Sequence, residues 1–419
     1  MNAVTRIVVY WYFGVIFLAI CGTHNIPFEK LAYGIGFSLI ILIVYIAGSY
    51  APSRRVASLD ELKKIINWRL FYSLAFLSVF GSYYLTFFYT GKGLGAILQT
   101  LRSFESNYNS YQSYNAESGL TSFSVNQIPA FSLLIFCKFW LVYSFLELIA
   151  KGRKFNFNAV AVLVLSSFSN VYQSIGRGTS IEIFEVCFLL WFSVAARNIR
   201  APRAKRKSNK ALMVLLGLIG LAAFDYNISA RFQFSGELIC HTRQMCFNAN
   251  SAIGDVSDFA AAFLYRLNGY FTFGIFFVSN FFEQFIDPQS TLSILDYILP
   301  VNFLFHNATK YSICNNVIDC GVNWMPDAIT YIEVLGFPLL LVVVFAVGRL
   351  VVLFSIHSAK NYSFVELAIC YYLVILMASL PVGNFVFSSY ASMACVLILM
   401  ALLFAKYGLP RFSFRRRNN

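Results

Sequence analysis

The 419 residues are 58% hydrophobic and only 12% charged, with a positive mean hydropathy. That balance excludes a soluble domain with a generous core and leaves a polytopic membrane protein. The net charge of +13 invites nucleic acid, but the lysines and arginines cluster in short loops beside apolar runs, where they report orientation, so no nucleic-acid partner is expected.

Apolar runs of about the length that crosses a bilayer lie at 7–21, 31–50, 70–89, 128–150, 157–172, 181–196, 211–226, 328–352, 364–380 and 385–404. The expected fold is therefore an all-α polytopic membrane protein with about ten transmembrane helices, in a range of about 10–12. Leu18-Ala19-Ile20-Cys21 resembles a lipoprotein cleavage box, but Ile20 is too bulky for it and a retained first helix is expected. Cations on alternate loops divide 23 to 8, with Lys138 inside a span, so both termini are expected in the cytoplasm.

The domains that follow are helices 1–7 over residues 1–229, with a polar extracytoplasmic loop at 90–127; a large extracytoplasmic loop at 230–328; helices 8–10 over 329–406; and a basic tail at 407–419. The large loop holds eight acids against Arg231, Arg243, Arg266 and Lys310, and is acidic within a basic chain. Its apolar stretch at 259–286 tempts an extra crossing. That crossing would carry the basic tail outside, and Arg266, Asn268 and Gly269 interrupt the run. Tyr270 to Phe282 would form only ~20 Å of helix against a ~30 Å core, so an interfacial or half-inserted helix is expected.

Four of the nine cysteines, Cys240, Cys246, Cys314 and Cys320, sit in this loop in two equally spaced pairs. Local bridges within each pair fit an oxidising side, although spacing leaves three pairings open. A zinc site would want the tighter two-residue spacing. In the earlier loop, Tyr108, Tyr111 and Tyr114 recur every three residues. On a helix they form one stripe, suited either to stacking on sugar rings or to anchoring at the membrane surface.

Between the fifth and sixth runs stands Ser174-Ile175-Gly176-Arg177-Gly178-Thr179-Ser180. An arginine between glycines at the opening of a helix is suited to an anion, because the backbone approaches closely and the guanidinium offers a fork of donors.

With its many helices, large late loop and Gly176-Arg177-Gly178 turn, the chain resembles an O-antigen polymerase of the Wzy type, an oligosaccharide repeat unit polymerase. Tyr331-Ile332-Glu333-Val334-Leu335-Gly336, with Gly348 beyond, resembles the family's exit from that loop, and Arg243 with Gly254 resembles its spaced arginine and glycine. The resemblance implies a GT-C-like, metal-independent glycosyltransferase with no cofactor in the bacterial inner membrane. It would join undecaprenyl-pyrophosphate-linked repeat units, donor and acceptor alike, in lipopolysaccharide or other polysaccharide biosynthesis. A chain-length regulator and a flippase would be its protein partners.

Such chemistry needs cations on the departing pyrophosphate and a base for the attacking hydroxyl. Arg177, Arg231, Arg243 and Arg266 are the candidates for the first task. Asp255, Asp258, Asp296, Asp327, Glu333, His241 and His306 compete for the second. Two alternatives stay open. A ligase passing glycan to lipid A core would use a loop histidine, and a flippase would carry charges such as Lys138 deep in its spans.

Overall fold

The computed structural model describes residues 2–50, 66–93, 95, 110–111, 113–115, 117–118, 125–151, 156–179, 181–200, 217, 221–222, 225, 245–248, 250–286, 326–361, 363–383 and 390–408. Over these residues the chain is nearly all helical, with a single isolated bridge between His24 and Phe247. In chain order the helices are α1 (Ala3–Ile20), α2 (Phe28–Ser49), α3 (Trp68–Thr90), α4 (Ile128–Phe145), α5 (Phe157–Arg177) and α6 (Ile181–Arg200). There follow α7 (Asp258–Phe271), α8 (Phe273–Ile286), α9 (Asp327–Leu335), α10 (Phe337–Asn361), α11 (Phe364–Ser379) and α12 (Tyr390–Gly408).

Local sequence sets their ends. Asn2, Asn67, Asn156 and Ser257 each lend a side-chain oxygen to the amide three residues on, which satisfies a first-turn donor otherwise left open. Gly91 and Gly178 stop α3 and α5 in the left-handed region, at φ 66° and 64°. The eighth expected span is not one rod: Gly336, at φ 76°, divides it into α9 and α10. A glycine inside an apolar run marks no break until its backbone angle is known.

Packing reads as a membrane protein. Among the described residues, six helices are long and apolar enough to span a bilayer, or seven if α7 and α8, bent by 57° at Thr272, count as one. Along α3 and α5 many of the buried residues are small or polar, including Ser78, Ser82, Thr86, Ser169, Asn170 and Gln173, while Phe80 is 71% exposed and Phe168 49%. Burial of polar groups beneath an apolar outer face inverts the pattern of a water-soluble bundle and suits lipid. The interhelix contacts are hydrogen-bonded: Tyr72 Oη donates to Asn158 Oδ1 at 3.1 Å and Ser78 Oγ to Ser169 Oγ at 2.8 Å. These contacts set α3 parallel to α5, with α4 returning between them.

Glycines bring other helix backbones together. A Cβ on Gly348 would lie 2.5 Å from the Tyr45 carbonyl, and one on Gly34 would overlap the Ile275 carbonyl and lie 2.6 Å from Ser279 Oγ. α8 therefore runs against the first half of α2, where Phe37 also meets Phe282 at 5.4 Å.

The bundle has two chemically different ends. At one, Asn2 Nδ2 donates to Ser355 Oγ, and the buried Glu366 accepts from Lys406 Nζ at 2.7 Å, so the start of α1 and the end of α12 share that side. At the other, the turn between α1 and α2 is covered by residues 245–248: Asn25 N donates to the Cys246 carbonyl at 3.0 Å and Asn248 N to Thr23 O at 3.0 Å. Thr23 Oγ1 then reaches the Ala261 carbonyl in α7 at 2.7 Å. The ends of α3 and α5 also lie on this side.

Candidate functional site

Arg177 does not open a helix, as its sequence context suggests; it is the last residue of α5. Carbonyls at a helix C-terminus favour a cation, so the position is electrostatically natural without any ligand. Its Nη2 donates to Gln173 Oε1 at 2.7 Å, and Nη1 lies 3.4 Å from Glu182 Oε1 in the first turn of α6. Thr179 Oγ1 donates to the other oxygen of that carboxylate at 2.8 Å. The guanidinium carbon stands 5.7 Å from the centre of the Tyr89 ring, and Nε is buried without a hydrogen-bond partner.

Arg266 is 5% exposed on α7, and its Nε contacts Asp225 Oδ1 at 2.5 Å. Beside Arg266, Leu267 and Phe271 of α7 pack with Leu221 and with Phe184 of α6 in one apolar cluster.

Asp327 is 2% exposed at the N-terminus of α9. Ser379 Oγ donates to its Oδ2 at 2.5 Å, and Ala328 N donates to the Leu380 carbonyl. Burial pushes the Asp327 carboxyl from its ordinary 3.8 up to about 7, with the Ser379 hydroxyl drawing it back. The neighbouring Pro326 sits 3.2 Å from where a Cβ on Gly274 would stand, at the start of α8. Trp11 joins this acid to the arginine side: its Nε1 donates to Ala378 O at 2.8 Å, and its ring meets Phe271 at 5.5 Å.

The other candidates fall differently. Asp255 and Asp258 are exposed, and Asp258 lies in the first turn of α7, where a carboxylate complements the helix dipole. Glu333 is on the α9 backbone, and its side chain lies outside the described residues, as do Arg231, Arg243, Asp296, His241 and His306. Tyr108, Cys240, Cys314 and Cys320 also lie outside them. Cys246 is disulfide-bonded, whereas Cys21, Cys137, Cys187, Cys370 and Cys395 are free.

Sequence reasoning passed over four groups that matter here: Asp225, Glu182, Glu185 and Ser379. Glu185 Oε2 lies 2.6 Å from Lys138 Nζ, an ion pair between α6 and α4 whose side chains are 11% and 13% exposed. Two acids three residues apart inside an apolar run were the available signal, since on a helix they share a face. Ser379 gave none, because its role depends on the end of α11 reaching the start of α9. Compared with known proteins, the chain matches no family model, no curated protein and no solved structure.

Proposed function

We propose that this chain is a lipid-linked glycosyltransferase that polymerises undecaprenyl-pyrophosphate-linked repeat units on the extracytoplasmic face of the bacterial inner membrane. Ten spans and two cytoplasmic termini belong to the same reading. In their favour, the start of α1 and the end of α12 share one side of the bundle, and α8 lies along the first half of α2, as a half-inserted helix would. The disulfide at Cys246 fits an oxidising compartment.

The observation that carries the reading is Asp327. It is a carboxyl with its pKa pushed up to about 7, next to Pro326, which packs against Gly274 at the start of α8, while Arg266 stands on α7 before the same bend. A base tuned near the working pH is the group glycosyl transfer requires. An acceptor sugar hydroxyl attacks the anomeric carbon of the donor, Asp327 takes the hydroxyl proton, and the bond to the pyrophosphate breaks with its electrons leaving on oxygen. Arg266 and Arg177 meet that developing charge by exchanging Asp225 and Glu182 for phosphate oxygens, as a planar fork of donors readily does.

The test is the surface polysaccharide profile. Deletion of the gene, or Arg266→Ala, should leave single-repeat glycan on the cell with no chain extension. Full-length polymer from strains carrying Ala or Lys in turn at Arg177, Arg231, Arg243 and Arg266 would overturn the mechanism. A flippase for the same lipid-linked unit has one observation in its favour, the buried Lys138–Glu185 pair. It would show instead as single units accumulating on the cytoplasmic side.

A further inference from the structure

We propose that Tyr89, Tyr111 and Tyr114, together with Asn115 and Arg177, form a saccharide-binding subsite that seats one sugar ring of the glycan against an aromatic wall. The identity of that glycan rests on the function proposed above; the subsite itself rests on the following geometry. Ser110, Tyr111, Tyr114 and Asn115 are helical, so Tyr111 and Tyr114 do share one face. Tyrosines that merely anchored this segment at a lipid surface would turn away from the bundle. These turn onto it.

Tyr114 is seated on Gly91, where an added Cβ would stand 2.8 Å from the ring. The left-handed glycine that ends α3 thus also makes room for the ring of the next loop. Tyr111 lies within electrostatic reach of Tyr89, whose ring in turn carries the Arg177 guanidinium at 5.7 Å. All three tyrosines are half-buried.

Two polar atoms on these residues lack partners. Arg177 Nε, a donor, and Asn115 Oδ1, an acceptor, are both buried without a hydrogen bond. An unmet buried donor or acceptor is unfavourable and rare. A sugar answers both needs, since its hydroxyls donate and accept while its slightly positive C–H face lies against the negative face of an aromatic ring. A prenyl chain would answer neither.

The experiment uses the full-length protein in detergent micelles and, as probe, the oligosaccharide released by mild acid from the producing cell's lipid-linked glycans. Saturation-transfer NMR should show magnetisation passing to the sugar-ring C–H protons. The Tyr111→Leu/Tyr114→Leu variant keeps apolar bulk over Gly91 but removes the rings, and should bind about tenfold more weakly. The Tyr111→Phe/Tyr114→Phe variant keeps the rings and should bind within about twofold of the wild type. An unchanged thermal melt for both variants excludes unfolding as the cause. Wild-type affinity in the leucine variant, or no transfer in the wild-type protein, would overturn the subsite. If binding follows this pattern while a deletion strain accumulates cytoplasmic single units, the subsite stands and the polymerase reading falls.

Discussion

Replacing Asp327 by asparagine tests the buried acid through two independent readouts. Its carboxyl is raised from 3.8 to about 7 in the folded chain. At about 1.4 kcal/mol per unit, that is roughly 4 kcal/mol of differential interaction between the two protonation states. The folded state holds this proton more tightly than the unfolded chain does. The group's favourable contribution is therefore complete below about pH 4 and is lost as pH rises to about 7, where the charge is forced on a buried site. Between pH 5 and 7 the wild-type protein should lose about 2 kcal/mol relative to Asp327→Asn, which cannot titrate. In detergent, this means a wild-type thermal midpoint that falls by several degrees across the window while the variant's stays flatter. Under the proposed function, catalysis runs the opposite way, because a base acts only when ionised. Chain extension by the wild type should decline below about pH 7, and Asp327→Asn should give single-repeat glycan at every pH. Ser379→Ala removes the hydroxyl that favours the ionised form, so its activity limb should move to higher pH. Parallel melting curves for wild type and Asp327→Asn, or full-length polymer from the variant, would refute this assignment.

Other perturbations follow from the same contacts. Gly34→Ala places a methyl group against the Ile275 carbonyl and Ser279, and should lower stability by about 1–3 kcal/mol by prising α2 from α8. Gly36→Ala, with nothing within 4 Å, should stabilise by up to about 1 kcal/mol through helix propensity; equal melts for the two would contradict the packing described. Lys138→Met should destabilise by about 3–5 kcal/mol because it leaves Glu185 buried and unpaired, and Lys138→Met/Glu185→Leu should recover most of that loss. A double-mutant cycle with no coupling would show that the pair does not form. His24, buried in the turn between α1 and α2, has its pKa held below the ordinary value by desolvation. Its contribution is therefore present above about pH 6.5 and lost as pH falls further, so His24→Gln should blunt the loss of thermal stability on acidification.

The sequence by itself settled the class. A chain so apolar and so poor in charge has to place its helices in lipid, where backbone groups can be satisfied only internally. Apolar run length gave the positions of α1 to α6, α11 and α12, because burial in lipid demands nothing finer than a continuous hydrophobic stretch. Three features depended on tertiary structure. Gly336 breaks the eighth run because α9 packs at the end of α11, which hydropathy does not encode. Asp327 was one acid among seven candidates for a base; burial and the Ser379 hydroxyl set it apart from the exposed Asp255 and Asp258, and that hydroxyl comes from more than 50 positions away in the chain. Arg177 and Arg266 were legible as cations, but their carboxylate partners were not: Asp225 and Glu182 reach them only once the turns and bends bring separate helices together. Hydrophobicity is a property of a segment and survives being read one residue at a time. A charged site is a property of a distance, and distances between segments exist only in the folded molecule.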